Sequence, residues 1–80
     1  MLDITERAAA AVIQMQTAAQ RFNPRALIRL APDVTFALTE TASPGDQELD
    51  CGGTTLLVAA GIDGVLDIGE HNAPVILPPR

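Results

Sequence analysis

Apolar residues recur through the first third of the chain with a helical period. Ala8, Val12, Met15, Ala19 and Phe22 follow the i, i+4, i+7 rule, and Ile13 widens the stripe. Gln14, Gln16, Gln20 and Arg21 are left for water. No Gly or Pro interrupts Glu6 to Arg21, and Ala, the strongest helix former, is abundant. Thr5 is the expected N-cap, because its hydroxyl can accept from an orphan amide of the first turn. Glu6 then sits where the helix dipole favours an anion. Asp3 is the competing cap, with Glu6 three residues on as its capping-box partner. Asn23-Pro24 should end the helix, since proline disfavours helical backbone at the residue before it.

Beyond Pro24 the period shortens to two. Arg25–Ala31 alternates, with Ala26, Ile28 and Leu30 on one face and Leu27 and Arg29 on the other. Val34–Glu40 alternates again, with Val34, Phe36 and Leu38 as its apolar face. The short break at Pro32-Asp33 suits an antiparallel hairpin. Thr41–Asp46 reads as a loop around Pro44-Gly45. Gln47–Cys51 is a short strand, Gly52-Gly53 a hairpin turn, and Thr54–Ala59 the most apolar strand, expected at the centre of its sheet. Ala60–Gly64 is a candidate helical turn. Val65–Ile68 and Pro74–Leu77 are short strands around Gly69–Asn72, and Pro78-Pro79-Arg80 cannot extend a sheet. These elements predict one α+β domain over residues 1–80. One N-terminal helix packs on a mostly antiparallel sheet or a small β-sandwich.

Composition sharpens this picture. Hydrophobic residues make up 48% of the 80, so a packed core is attainable. Many of them are Ala, and Phe22 and Phe36 are the only aromatics. A domain this small buries only about 60–65% of its unfolded surface. A single cysteine excludes an internal disulfide, so a homodimer is the expected source of extra stability. The formal net charge is −5, with all five basic residues Arg. Displacing counterions from phosphates needs a basic patch. The only local cluster is Arg21, Arg25 and Arg29, so neither nucleic-acid binding nor adhesion to an anionic membrane is expected. The longest apolar runs, Ala8–Ile13 and Leu56–Ile62, are too short to span a bilayer. Residues 1–6 lack the basic region and cleavage site of a signal peptide. With one unpaired cysteine, the expected location is the cytoplasm.

The order of elements carries a resemblance. Leu2–Thr5 leads into an Ala-rich helix, and the strands Ala26–Ala31 and Val34–Glu40 follow. Next come the acidic loop Ser43–Asp46, the hairpin Gln47–Ala59, a short turn and Leu66-Asp67. With the stretches ITERAAAAV, ALIRLA, SPGDQELD-x-GG-TTLLV and DGVLD, this resembles the HesB/IscA-like family of A-type iron–sulfur cluster carrier and assembly proteins, over most of residues 1–68. The resemblance implies a HesB-like fold and a role in cluster assembly. The family's chemistry needs a Cys just after the first strand and a Cys-Gly-Cys near the C-terminus, because thiolates are the soft ligands that hold iron. Here the first position falls near Ala31-Pro32-Asp33, and the Cys-Gly-Cys has no counterpart among the 80 residues. No family ligand carries over. The expectation is therefore a degenerate or accessory member of a short, cysteine-poor branch. It would hold no cluster itself, have no cofactor and no enzymatic activity, and contact the assembly machinery through its surface. The alternative is a non-enzymatic homo-oligomeric interaction module unrelated to iron. A small thiol enzyme built on Cys51 is the third reading.

Few residues invite chemistry. Cys51 lies in a turn beside Asp50 and near Glu48, whose charges would disfavour its thiolate. It reads as a small structural residue. His71, in Gly-Glu-His-Asn, reads as a solvated loop histidine with Glu70 as its only near candidate partner. A Cys51–His71 nucleophile pair lacks an oxyanion hole or an orienting motif. Asp46, Glu48 and Asp50 share one strand face by period-two spacing. They read as the solvated face of an edge strand, not as a cation loop. Gly52-Gly53 and Gly61-x-x-Gly64 match no phosphate-loop spacing and read as turns. Arg21, Arg25 and Arg29 read as solvation of the helix end and of an exposed strand face.

Overall fold

The computed structural model describes residues 2–79; Met1 and Arg80 lie outside the described residues. Strand β1 (Leu2–Ile4) leads into helix α1 (Glu6–Gln20). Strands β2 (Leu27–Leu30), β3 (Phe36–Thr39), β4 (Gln47–Asp50), β5 (Thr55–Val58), β6 (Gly64–Ile68) and β7 (Pro74–Leu77) follow. The α+β class expected from the pattern holds. The arrangement of strands is neither the mostly antiparallel sheet nor the small β-sandwich expected. There are two mixed sheets, of order β1-β6-β7 and β3-β2-β5-β4. In the first, the parallel pair β1–β6 is extended by one antiparallel hairpin, β6–β7; in the second, the parallel pair β2–β5 is flanked by two antiparallel pairs, β2–β3 and β4–β5. Alternation reports which face of a strand is apolar, not which neighbour it pairs with, so the parallel pairs were invisible.

The helix starts as its residues dictate. Thr5 has extended backbone and its Oγ1 accepts the Ala8 N–H at 3.1 Å. Asp3, the rival cap, lies inside β1 instead, in register with Val65 of β6. The sequence shows β1 only as a lead-in, because three residues carry little periodicity. Its partner lies more than 60 positions away.

The helix packs on β2 of one sheet and β6 of the other, and the core fills the space between. Ala8 and Val12 meet Leu2, Ile28, Leu30, Leu56, Val58, Leu66 and Ile68 there. β5 is central, as its composition required, and Leu56, Leu57 and Val58 are all buried. Leu57 faces outward, between Arg29 and Glu48 on the neighbouring strands. The long stems of those two side chains are placed to cover it.

Several residues depart from the expected pattern. Phe22 is 92% exposed. It lies past Arg21, the residue that caps α1, in the turn that follows the helix. Leu38 is 67% exposed. It shares a face with Phe36 and pairs with buried Ile28, but it sits on edge strand β3, beyond the cover of the helix. Gln16, expected in water, is buried, and its Oε1 accepts a hydrogen bond from the Thr54 hydroxyl. A buried amide is tolerated once it is hydrogen-bonded. Val34 belongs to the β2–β3 turn rather than to a strand, with φ +60° and its N–H on the Ala31 carbonyl at 2.9 Å. Ala60-Gly61 is a turn and not helical. No helix is long and apolar enough to cross a membrane among the described residues.

Candidate functional site

Cys51 follows β4 directly, and its backbone N–H donates to the Thr54 carbonyl across the hairpin turn. That bond turns the side chain inward. Cys51 is 3% exposed, a member of the core, and its Sγ donates to the Leu49 carbonyl at 3.6 Å. It is therefore a core residue, not an open turn residue. Burial pushes its thiol above the usual range, and the Asp50 charge pushes the same way against the lowering effect of a Leu56 backbone hydrogen bond. Only the thiolate is nucleophilic. Iodoacetamide at neutral pH is expected to label Cys51 far more slowly in the native protein than in urea. Equal rates would show that the thiol is accessible.

His71 is exposed in the turn between β6 and β7. Its φ is +58° and that of Asn72 is +59°. Histidine and asparagine are among the non-glycine residues that most readily enter the left-handed region, so His71 serves the turn. Cys51 belongs to one sheet and His71 to the other. Among the described residues, no three His, Cys, Asp or Glu side chains come together in a way that could hold a metal ion.

The acidic triplet divides. Glu48 and Asp50 are exposed on β4, as expected of an edge strand, and Asp50 Oδ1 accepts the Gly52 N–H at 2.8 Å to shape the hairpin turn. Asp46 is not part of that solvated face. It precedes β4, and its side chain is only 1% exposed. Its carboxylate takes two hydrogen bonds from Arg29, from Nε at 2.9 Å and from a terminal nitrogen at 3.0 Å. It also accepts the Ser43 N–H at 2.9 Å. Arg29 is thus an ion-paired residue of the outer sheet face, not a solvated one. The pair joins β2 to the chain entering β4 and holds the 43–46 loop against the sheet. A forked guanidinium suits this two-point grip.

Arg29, followed by the Ser43 amide, holds the Asp46 carboxyl below the usual carboxylate range. A carboxyl with a lowered folded pKa contributes its full stabilisation above the unfolded value of about 4 and loses it as pH falls through the folded value. Asp46→Asn is therefore expected to destabilise the protein at neutral pH and to converge with the wild type in strong acid. Urea unfolding at both pH values measures this. A gap that stays constant would remove Asp46 from the acid response.

A second network ties β6 to the helix start. Asp67 Oδ1 accepts the Thr5 hydroxyl at 2.9 Å and the Ile68 N–H at 2.8 Å, and Oδ2 accepts from Arg7 at 3.0 Å. The Ile68 amide first, then Thr5 and Arg7, hold this carboxyl below its ordinary range as well. The Thr5 N–H meets the Leu66 carbonyl at 3.0 Å. Thr5 thus caps α1 and also docks it onto β6.

One concavity of the surface is almost wholly apolar. A groove of about 410 Å³ runs between the C-terminal half of α1 and β3, lined by Met15, Ala19, Phe22, Ile28, Phe36 and Leu38 among others. The misplaced core residues Phe22 and Leu38 are its rim. Both are apolar positions of the sequence pattern, left exposed because Phe22 follows the helix end and Leu38 sits on an edge strand. The chain matches no protein-family model, no curated protein and no solved structure.

Proposed function

We propose that this chain is a degenerate or accessory HesB/IscA-like protein of iron–sulfur cluster assembly, one that works by contacting other proteins. Its HesB-like character rests on the quoted sequence stretches and on an element order of strand, helix, hairpin, loop, hairpin and strand. The residues present do not fit a cluster. An iron–sulfur centre is held by several thiolates, and the single thiol here is buried in the core on the Leu49 carbonyl. That placement of Cys51 is the observation that carries the reading of an accessory member. In its host, loss of the protein is expected to lower the specific activity of cluster-dependent enzymes, with full rescue by wild type and by Cys51→Ser. Unchanged enzyme activity would sink the iron–sulfur role. Anaerobic incubation with iron and sulfide, then desalting, should leave the protein colourless. A retained visible absorbance that Cys51→Ser removes would sink the non-binding half.

The apolar groove favours a second reading, a non-enzymatic homo-oligomeric interaction module unrelated to iron. Light scattering across a concentration series measures self-association, and intact cluster enzymes in the deletion strain would select this reading over the first.

A further inference from the structure

The groove has charge as well as shape. The described arginines divide into two pairs. Arg7 and Arg29 are engaged by Asp67 and Asp46. Arg21 and Arg25 are exposed, with no acidic partner among the described residues. These two flank Phe22 in sequence at the helix end of the groove. The acids nearest in sequence to β3, Asp33 and Glu40, lie outside its two ends, and Asp33 is occupied by the Thr35 hydroxyl at 2.7 Å. In a chain of net charge −5, the uncompensated arginines among the described residues therefore lie beside the most exposed apolar residues. Screening beyond about 8 Å at physiological salt lets local charge outweigh the distant acids.

The backbone offers a second handle. β3 is the edge of its sheet, so its outer side presents hydrogen-bonding groups to an added strand. Phe36 and Leu38 point to the groove side of that edge. A strand laid beside β3 would place alternate side chains over the same groove.

We propose that the groove between α1 and the open edge of β3 docks an extended acidic–apolar segment of a partner protein. The segment adds as a fifth strand, packs its apolar side chains on Phe22 and Leu38, and meets Arg21 and Arg25 with its carboxylates. A peptide suits the patch better than a second copy of this chain, because a twofold axis through the patch would bring its own unpaired arginines together. The proposal rests on the interaction half of the function proposed above and not on iron.

The probe is a dye-labelled synthetic peptide alternating leucine and glutamate, followed by fluorescence anisotropy against the full chain. Controls alternate leucine with lysine, and serine with glutamate. Saturable binding of the first peptide alone is expected, weakened at least about tenfold by Leu38→Ser and by the pair Arg21→Glu with Arg25→Glu. All three positions are exposed or largely so, and unchanged urea midpoints verify that the variants fold. Absence of saturable binding, equal binding of the lysine peptide, or indifference to both variants overturns the proposal. So does a concentration-dependent dimer that Leu38→Ser abolishes, which would assign the groove to a second copy. Enzyme activities in the deletion strain are a separate readout, so failure here is distinguishable from failure of the cluster-assembly role.

Discussion

Leu30→Ala is expected to remove about 3 kcal/mol of unfolding free energy, within the range of roughly 2–5 found when a buried leucine is truncated. Leu30 has no exposed surface and sits in β2 between Phe36 of β3 and Val58 of β5. Its carbonyl also receives the Ala59 N–H at 3.0 Å. Truncation leaves a cavity where both sheets and the helix converge, and the paired backbone on either side restricts collapse into it. For 80 residues the whole stability is on the order of 4–12 kcal/mol, so one such cavity takes a large share. The built-in contrast is Leu38→Ala, one strand away and 67% exposed, where a loss below about 0.5 kcal/mol is expected. Urea midpoints at unchanged m-value measure both. Similar losses at the two leucines would mean that the core does not lie where the helix covers β2.

The two leucines also show what the sequence could disclose. The alternation Ala26, Ile28, Leu30 names a buried face correctly because β2 is covered along its whole length. The alternation Val34, Phe36, Leu38 has the same form and holds only in part: Val34 and Phe36 pack partly buried against the core, while Leu38, on edge strand β3, is exposed. Burial depends on the neighbour, and the neighbour is set by topology. Local chemistry was legible wherever a short segment decides it: Thr5 as cap, Gly52-Gly53 as hairpin turn, the apolar run of β5 as a sheet centre. What escaped joins distant segments. Arg29 and Asp46 are 17 positions apart, Gln16 and Thr54 are 38 apart, and Thr5 and Asp67 are 62 apart. Each of these polar residues looks solvent-facing in its own segment, and each becomes structural only once its partner is placed. The same holds for the groove, whose rim combines a helix end with a sheet edge. Cys51 is the intermediate case. Its acidic neighbours announced a disfavoured thiolate, but burial, the larger cause, needed the hairpin to turn it inward.

Gly64→Ala tests the sheet that carries β1. Gly64 opens β6 at φ +116°, and a Cβ there would lie 2.4 Å from the Leu77 carbonyl oxygen and 3.1 Å from the Ile76 methyl. A backbone oxygen within a paired strand cannot swing away as a flexible side chain can. The substitution must therefore pull β7 off β6, twist the start of β6, or both. The start of β6 also pairs with Leu2 of β1, a core residue, so displacement spreads to the entry of the helix. Gly61→Ala separates the two contributions. Gly61 also has positive φ, at +87°, but a Cβ there meets nothing within 4 Å. It should show conformational strain alone, about 1 kcal/mol. Gly64→Ala is expected to cost at least about 3 kcal/mol, strain plus the forced separation of strands. Amide exchange should then speed up selectively across β6, β7 and β1 while β2 and β5 stay protected, since regions of a fold can open separately. Equal costs at the two glycines would show that β7 does not press on Gly64, and with it would fall the placement of β7 against the start of β6.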